Sequence, residues 1–480
     1  MTIRFLTTGT DAHQNECKAK VQAATKPDTS EHEAYYAGFF HPYPNAGGGG
    51  ERVLWTMIKA IQNKYPFVVC VIYSGDKVDR DTLLQNVKSK FGMDIKPETI
   101  YVVELAGRSW VDNKYPRLTL LLQSIGSVVL ASEALNKFMP DIFIETVGYA
   151  FTYPLVRLVT AKIPAVSYTH YPSISSDMQT MVSSRESGFN NDAKIAQSPV
   201  LTYLKSVYYQ AFAHAYAFAG SFAATIMTNS SWTHGHIVKL FGKPKMTQVL
   251  YPPCDTKALV EFPTSNRMPF VVSLAQFRPE KNHKTQVEAF AKFLDSNTGL
   301  KLPTTSYPMM IMLGGARNIE DEARAEELRQ LAKRLGIERQ VHVIVNAPWS
   351  QVLEWLKFGR VGMHTMKDEH FGINVVEMLA AGLLTVGHDS AGPKLDIITP
   401  AKTFPVGMVA KSADEFAKMI QLGLGMPEIT ASAMRKAARH AAATKFSEAA
   451  FVAGFYKRFN PVIRWLDYQR SDEDDDDEYE

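Results

Sequence analysis

Two glutamates, Glu369 and Glu377, stand with seven residues between them, the apolar run 361–365 just ahead and Gly372-Ile373-Asn374 in the gap. That order reads as a strand end, a glycine turn and the start of a helix. Glu369 would project from the end of the strand, and Glu377 would lie inside the helix. The first peptide N–H groups of such a helix, near Gly372, Ile373 and Asn374, lack intrahelical partners and make a ready site for a diphosphate. Carboxylates flanking it can accept hydrogen bonds from sugar and ribose hydroxyls. Two acids at this spacing are common by chance; the preceding strand and the following Ala380-Ala381-Gly382 make the pattern specific. Hydrolysis of a glycosidic bond by paired carboxylates is the competing chemistry. It fits worse, because one of the acids belongs to the anion-binding helix.

Four more stretches carry candidate chemistry. Gly47-Gly48-Gly49-Gly50, followed by Glu51-Arg52, sits between a first strand and a first helix. Glycines let a ligand approach the backbone, so the amides of Gly48, Gly49 and Gly50 could meet phosphate oxygens, although the run lacks the order of a dinucleotide or phosphate loop. In Phe277-Arg278-Pro279-Glu280-Lys281-Asn282, Lys281 and Arg278 could neutralise charge growing on a leaving diphosphate; solvated loop charges are the plainer reading. His170 ends the strand Tyr168-Thr169, and a lone histidine is more often structural than basic. Gly314-Gly315 and Asn346-Ala347-Pro348, at other strand ends, would hold a nucleoside through backbone groups.

These residues need strands and helices to position them, and the chain supplies both. Short apolar runs at 35–40, 67–73, 99–104, 141–146 and 165–169 alternate with helical stretches at 51–65, 118–138 and 151–160. A long helix is expected over 200–228, with closing strands at 226–229 and 247–250. A second series starts at 270–274 after Tyr251-Pro252-Pro253, with strands 309–313, 341–345, 361–365 and 384–387. This rhythm predicts an α/β fold of two doubly wound, Rossmann-like parallel sheets. A last helix, 447–459, carries Phe451, Phe455 and Phe459 on one stripe and should end near Pro461. Residues 1–33 show neither steady periodicity nor a signal peptide.

The 480 residues suffice for two domains, and 46% hydrophobic with 21% charged residues excludes a disordered, collagenous or coiled-coil chain. Three scattered cysteines and 13 histidines show no metal-ligand spacing, so no metal is expected. The net charge of +3 hides a basic body. The last ten residues hold eight acids, and without them 41 acidic residues face 52 basic ones, a balance of +11. Such a body suits anionic partners. The acidic segment 471–480 reads as a disordered tail, and its D-x-D spacings reflect composition. The uncharged run 118–132 is too short to span a bilayer. For 207–227 a buried helix is the better reading, with spanning or lying on a bilayer surface as alternatives.

The Glu369–Glu377 pattern resembles the E-x7-E signature of retaining family 4 glycosyltransferases, which have the GT-B fold. Phe39-Phe40-His41-Pro42-Tyr43, Asn45 to Trp55, Glu145 to Pro154, His170-Tyr171-Pro172 and Gln276 to His283 narrow this further. They resemble the eukaryotic GDP-mannose-dependent α-1,2-mannosyltransferases of the asparagine-linked glycan pathway, over residues 35–465. The resemblance implies an acceptor- and membrane-facing domain at 34–255 after an extension at 1–33. It also implies a donor domain at 256–446 and a helix at 447–468 that crosses back to the first domain. It places Glu369 on the transferred sugar, Glu377 on the ribose and His170 near the anomeric carbon. Lys281 falls on the diphosphate, as does Arg278, although the family's usual arginine position is Gln276. Gly48, Gly49 and Gly50 would border the diphosphate and acceptor.

The implied partners are GDP-mannose, a dolichyl-diphosphate-linked trimannosyl-chitobiose, the membrane surface and other mannosyltransferases of the pathway. The implied place is the cytosolic face of the endoplasmic reticulum membrane. Two successive additions, retention of configuration without a protein nucleophile, and independence of metals and other cofactors are also implied. Family members begin with an anchoring helix that 1–33 does not show; either that helix is not part of this sequence or this form relies on surface association. An α-1,3/1,6-mannosyltransferase or a UDP-sugar-dependent assembler of the same fold is the alternative within the class. Outside it, a non-catalytic module binding sugar or nucleic acid remains; aromatic and Arg base-reading motifs are absent, so no nucleic acid is expected.

Overall fold

The computed structural model describes residues 11–30, 32–112, 114–185, 195, 197–296, 307–399 and 404–477. The chain divides into two compact units: Met1–Asn229, Thr233–Leu250 and Phe451–Glu480 in the first, Ser230–Trp232 and Tyr251–Ala450 in the second.

The first unit begins with helix α1 (Asp11–Ala24), β1 (Tyr35–Phe40), α2 (Gly49–Lys64), β2 (Val68–Ser74), α3 (Arg80–Phe91), β3 (Ile100–Glu104) and α4 (Thr119–Lys137). It continues with β4 (Ile142–Glu145), α5 (Thr152–Val159), β5 (Ala165–Thr169), α6 (Ser176–Ser183), α7 (Pro199–Gly220), β6 (Thr225–Thr228), α8 (Ser231–Phe241) and β7 (Thr247–Val249). The seven strands form one sheet in the order β3-β2-β1-β4-β5-β6-β7. All its pairs are parallel. Every residue of β1 and β2 is buried, because helices cover both faces of such a sheet.

The second unit contains β8 (Phe270–Leu274), α9 (His283–Ser296), β9 (Met309–Gly314), α10 (Ile319–Arg334), β10 (Val341–Val345), α11 (Trp349–Phe358), β11 (Val361–Met363) and α12 (Ile373–Ala381). It then runs through β12 (Leu384–His388), a π-helical turn at Pro393–Ile398, β13 (Met408–Ala410), α13 (Ala413–Gly425) and α14 (Glu428–Lys445). Six parallel strands are ordered β10-β9-β8-β11-β12-β13. Two doubly wound sheets in one chain are the expected α/β class.

Four expectations need correction. Residues 1–33 are not featureless, since α1 packs Val21 into the first core. Its side-chain bonds cap the end of α4: the Gln14 amide donates to the Leu135 carbonyl at 3.2 Å and accepts from the Met139 N–H at 3.0 Å. Polar caps leave no apolar period to read. The expected helix over 200–228 stops at Gly220; within the stretch read as a buried helix, 207–227, one face is buried through Tyr209, Phe212 and Tyr216 while Val207 and Phe218 face out.

The last helix, α15 (Glu448–Asp477), does not end at Pro461. An interior proline costs about 3 kcal/mol. Val462, Ile463 and Leu466 lie beyond it in the same core as Phe451, Phe455 and Phe459. Each buried aliphatic contributes roughly 1.5–3 kcal/mol, so the helix continues. The acidic segment is therefore helical as far as Asp477, and 478–480 lie outside the described residues, as do 1–10.

Candidate active site

In the second unit β11 is short, and the chain leaves it through buried His364 and Thr365. Glu369 therefore sits in the turn after the strand, not on its end as expected. Asp368 is left-handed at φ 56°, and its N–H donates to the Ser390 hydroxyl at 2.8 Å. Gly372, at φ +104°, is the N-cap of α12, a conformation that only glycine adopts without strain. The turn is closed by the Gly392 N–H on the Glu369 carbonyl at 2.9 Å.

The Glu369 carboxylate is nine-tenths buried. It is ion-paired with the Lys281 ammonium and accepts from His364 Nε2 at 3.1 Å. Burial pushes this carboxyl up, but Lys281 and His364 outweigh it, and the group is held well below the usual carboxylate range. Lys281 comes from the turn Pro279–Lys281 after β8. The Thr365 hydroxyl holds that turn through the Lys281 and Asn282 carbonyls at 3.1 and 3.0 Å. Arg278, on the same turn, is half-buried with Glu280 3.7 Å away. Burial and then the nearby Arg317 push its guanidinium down.

Ile373 and Asn374 open α12, and Glu377 lies one turn further, partly exposed. The Asn374 side chain faces inward. Its Nδ2 reaches the Leu274 carbonyl at 2.5 Å and His364 Nδ1 at 2.9 Å, and its Oδ1 accepts from the Val375 N–H at 3.0 Å. Gly314 is explained by packing, since a Cβ there would lie 2.2 Å from the Ala275 carbonyl oxygen. Its own carbonyl accepts from the Asn346 N–H at 2.8 Å. The structure thus brings Lys281 and Glu369 together beside the start of the helix that carries Glu377. The side chain of Asn374 is taken up by the Leu274 carbonyl and His364, and the carbonyl of Gly314 by the Asn346 N–H.

In the first unit, His170 follows β5 and Gly50 lies in the first turn of α2. A Cβ on Gly50 would stand 3.5 Å from His170 Nε2, so the glycine run lies directly against the histidine. One amide of that run is not free as expected: the Gly48 N–H donates to the Glu51 carboxylate at 2.7 Å. Glu51 also meets His41 Nε2 at 3.4 Å, and His41 Nδ1 pairs with the Thr146 hydroxyl at 2.7 Å. Burial pushes Glu51 up, but His41 and the Gly48 amide lower it further. Neighbouring Glu145 is wholly buried and pushed up by desolvation, offset in part by backbone N–H groups; those of Val147 and Gly148 donate at 2.7 Å each.

His41, Glu51, Thr146, His364 and Thr365 were missed as functional positions. The available signal was position, since four of the five directly follow a strand or lie within two residues of its end. Among the described residues, no group of three or more His, Cys, Asp or Glu could hold a metal ion. Of the acids in the D-x-D spacings only Asp472 is among the described side chains, and it is exposed.

Comparison with known proteins fits this geometry. Residues 34–241 match the family model "ALG11 mannosyltransferase N-terminus", and 256–441 match "Glycosyl transferases group 1". The chain is 41% identical over 432 residues to a Homo sapiens protein named GDP-Man:Man(3)GlcNAc(2)-PP-Dol alpha-1,2-mannosyltransferase, covering 89% of this chain and 87% of that one. A protein of that name from Dictyostelium discoideum is 40% identical, with 92% and 87% covered, and one from Caenorhabditis elegans 36%, with 88% and 91%. Among solved structures, sucrose-phosphate synthase from Thermosynechococcus elongatus superposes with a TM-score of 0.61 at 14% identity, covering 90% of this chain and 99% of that one. A glycosyltransferase from Rickettsia africae gives 0.57 at 14%, with 89% and 99% covered. The fold shared with them is GT-B.

Proposed function

The chain belongs to the GDP-Man:Man(3)GlcNAc(2)-PP-Dol alpha-1,2-mannosyltransferase family, and from that premise we infer a role for each part of its site. The protein is a glycosyltransferase that moves mannose from GDP-mannose to a dolichyl-diphosphate-linked trimannosyl-chitobiose in α-1,2 linkage. The observation that carries the site assignment is the buried Lys281–Glu369 pair beside the N-terminus of α12.

Lys281 and Arg278 neutralise the charge that grows on the GDP diphosphate as the C1–O bond breaks, and the first amides of α12 assist them. Glu369 receives hydroxyls of the mannose, Glu377 those of the ribose. His170 and the Gly48–Gly50 backbone border the sugar and the acceptor. Glu369 is engaged by Lys281 and His364, which suits an orienting role better than that of a nucleophile. The acceptor hydroxyl attacks from the face the diphosphate leaves, and its proton passes to the departing phosphate oxygen. Configuration is retained, two mannoses are added in turn, and no metal is required.

Membrane association is part of the same proposal. Leu118, Leu121 and Ile125 on or beside α4 and Val200, Tyr203 and Leu204 on α7 are exposed apolar side chains. No acidic residue occurs over 113–132 or 193–254, whereas Lys114, Arg117 and Lys205 lie among these helices. No helix among the described residues is long and apolar enough to cross a membrane. Apolar faces with basic neighbours suit an anionic bilayer surface, which we place at the cytosolic side of the endoplasmic reticulum, in company with other mannosyltransferases of the pathway.

Incubation with GDP-mannose and a trimannosyl lipid acceptor tests the reaction. A product trimmed by α-1,2-mannosidase is expected; a resistant product, or transfer from UDP-sugars instead, rejects the assignment.

A further inference from the structure

The orientation of the Asn374 amide is fixed by two backbone groups of opposite kind. The Leu274 carbonyl can only accept, so it faces Nδ2; the Val375 N–H can only donate, so it faces Oδ1. Nδ2 has one hydrogen left for His364 Nδ1, 2.9 Å away, and that nitrogen must therefore be the acceptor. The imidazole proton then resides on Nε2, which is 3.1 Å from Glu369 Oε2. A second proton on the ring would point at the Asn374 NH2, so the ring stays neutral. Its burial, with a smaller contribution from the charge of Lys281, lowers the ring's pKa against the opposing pull of Glu369.

We propose that His364 is a positioning residue for mannosyl transfer, a fixed Nε2–H donor, set by Asn374, that holds the Glu369 carboxylate in one orientation beside Lys281. The inference rests on the role given to Glu369 above. Thr365, the next residue, holds the Lys281 turn by its carbonyls. Two consecutive side chains beyond β11 thus align both members of the ion pair. Asn374, expected from the sequence to offer its N–H to a diphosphate, acts on the reaction through its side chain and His364. A carboxylate with one ammonium and one fixed donor on the same oxygen leaves its other oxygen to meet a sugar hydroxyl. Without the imidazole it can rotate, and misplacement of a reacting group costs roughly 100-fold in rate.

Two substitutions of similar size separate positioning from packing. In His364→Gln the new amide nitrogen can reach the place of Nε2, whereas the shorter side chain of His364→Asn extends only as far as Nδ1. We expect His364→Gln to keep turnover within about fivefold of the parent, and His364→Asn to lose roughly 10- to 100-fold in kcat, with the KM for GDP-mannose changed by less than about threefold. Adding Asn374→Ala to His364→Asn should cost no more than His364→Asn alone, because both act through one hydrogen bond. The acid limb of the kcat/KM profile should move to higher pH in His364→Asn, since Glu369 has lost a donor that lowers it. Lys281 faces this group, and His283 and His388 interact with His364; all three remain in every variant.

Equal losses in the two variants, additive losses in the double variant, or an unmoved acid limb would overturn the proposal. Nitrogen-15 NMR of histidine-labelled protein reads the tautomer without any turnover. A neutral Nε2–H ring at pH 7 is expected, and an Nδ1–H or doubly protonated ring contradicts it. An inactive parent protein would refute the mannosyltransferase reading, while this spectrum would still decide the tautomer.

Discussion

Each unit places its candidate site residues just beyond the carboxyl ends of parallel strands, but the two hold them by different means. In the second unit a buried ammonium and a buried carboxylate face each other, braced by an imidazole and an amide whose own partners are backbone groups. In the first, His170 lies against a glycine run. Behind that run a hydrogen-bonded line passes from Thr146 through His41 and Glu51 to the Gly48 amide. The ion pair is coupled to stability, because removing one partner strands a buried charge. On the proposed reading the glycine run should tolerate more change in fold than in function, because its backbone is the part proposed to meet the ligand.

The largest effect to sharpen this contrast should come from Lys281→Met. It leaves Glu369 buried and unpaired, a loss of about 3–5 kcal/mol for a pair of this kind. Turnover should also drop by roughly 1,000-fold, as for removal of a main electrostatic group. Denaturant unfolding and steady-state rates check both, and a variant as stable as the parent would break the contrast. His41→Phe in the first unit strips Glu51 and Thr146 of a partner. Its expected cost is smaller, about 1–3 kcal/mol of stability, with a rise in KM that Lys281→Met does not share.

A pH experiment separates the units further. His283, buried in the second, has its pKa pushed down to about 3, first by burial and with the charge of Lys281 acting the same way. The unfolded chain takes up that proton near pH 6.5, so stability should decline as pH falls from about 6.5 toward 3. Replacing His283 by Gln should flatten this decline in urea midpoints measured across that range; an unchanged slope refutes the assignment.

The smallest expected change in stability is that of Gly50→Ala. The new methyl lies in ordinary contact with His170 at 3.5 Å, and alanine favours the helix, so stability should shift by less than about 1 kcal/mol. Transfer should nevertheless fall, because that methyl occupies the approach to the histidine. Unchanged rates would move the glycine run out of the site.

The alternation of strands and helices was readable because fully buried parallel strands are apolar runs of fixed length. Gly372 was readable as well, since a glycine between an apolar strand and an apolar helix marks the turn that its φ of +104° requires. Lys281 stood out through its neighbours Pro279 and Glu280. The supporting residues did not. His41 and His364 are single histidines with no companion nearby in sequence; their partners Glu51, Thr146 and Asn374 are brought to them by folding. Arg267 is similar: buried, it donates to carbonyls of Pro263, Leu356, Gly359 and Ala381, a set that no local pattern joins. The continuation of α15 past Pro461 was illegible for a different reason, since proline argues locally for an end and only the tertiary core reverses it.

Glu369→Gln is the most direct test of the claim that this buried carboxylate orients the sugar in transfer. Single-turnover transfer to the lipid acceptor and GDP binding by calorimetry should be measured on the same preparation. The account predicts a loss of transfer of roughly 1,000-fold, with the Kd for GDP within about threefold of the parent's. Transfer within about tenfold of the parent, or GDP affinity lost in step with transfer, would contradict it.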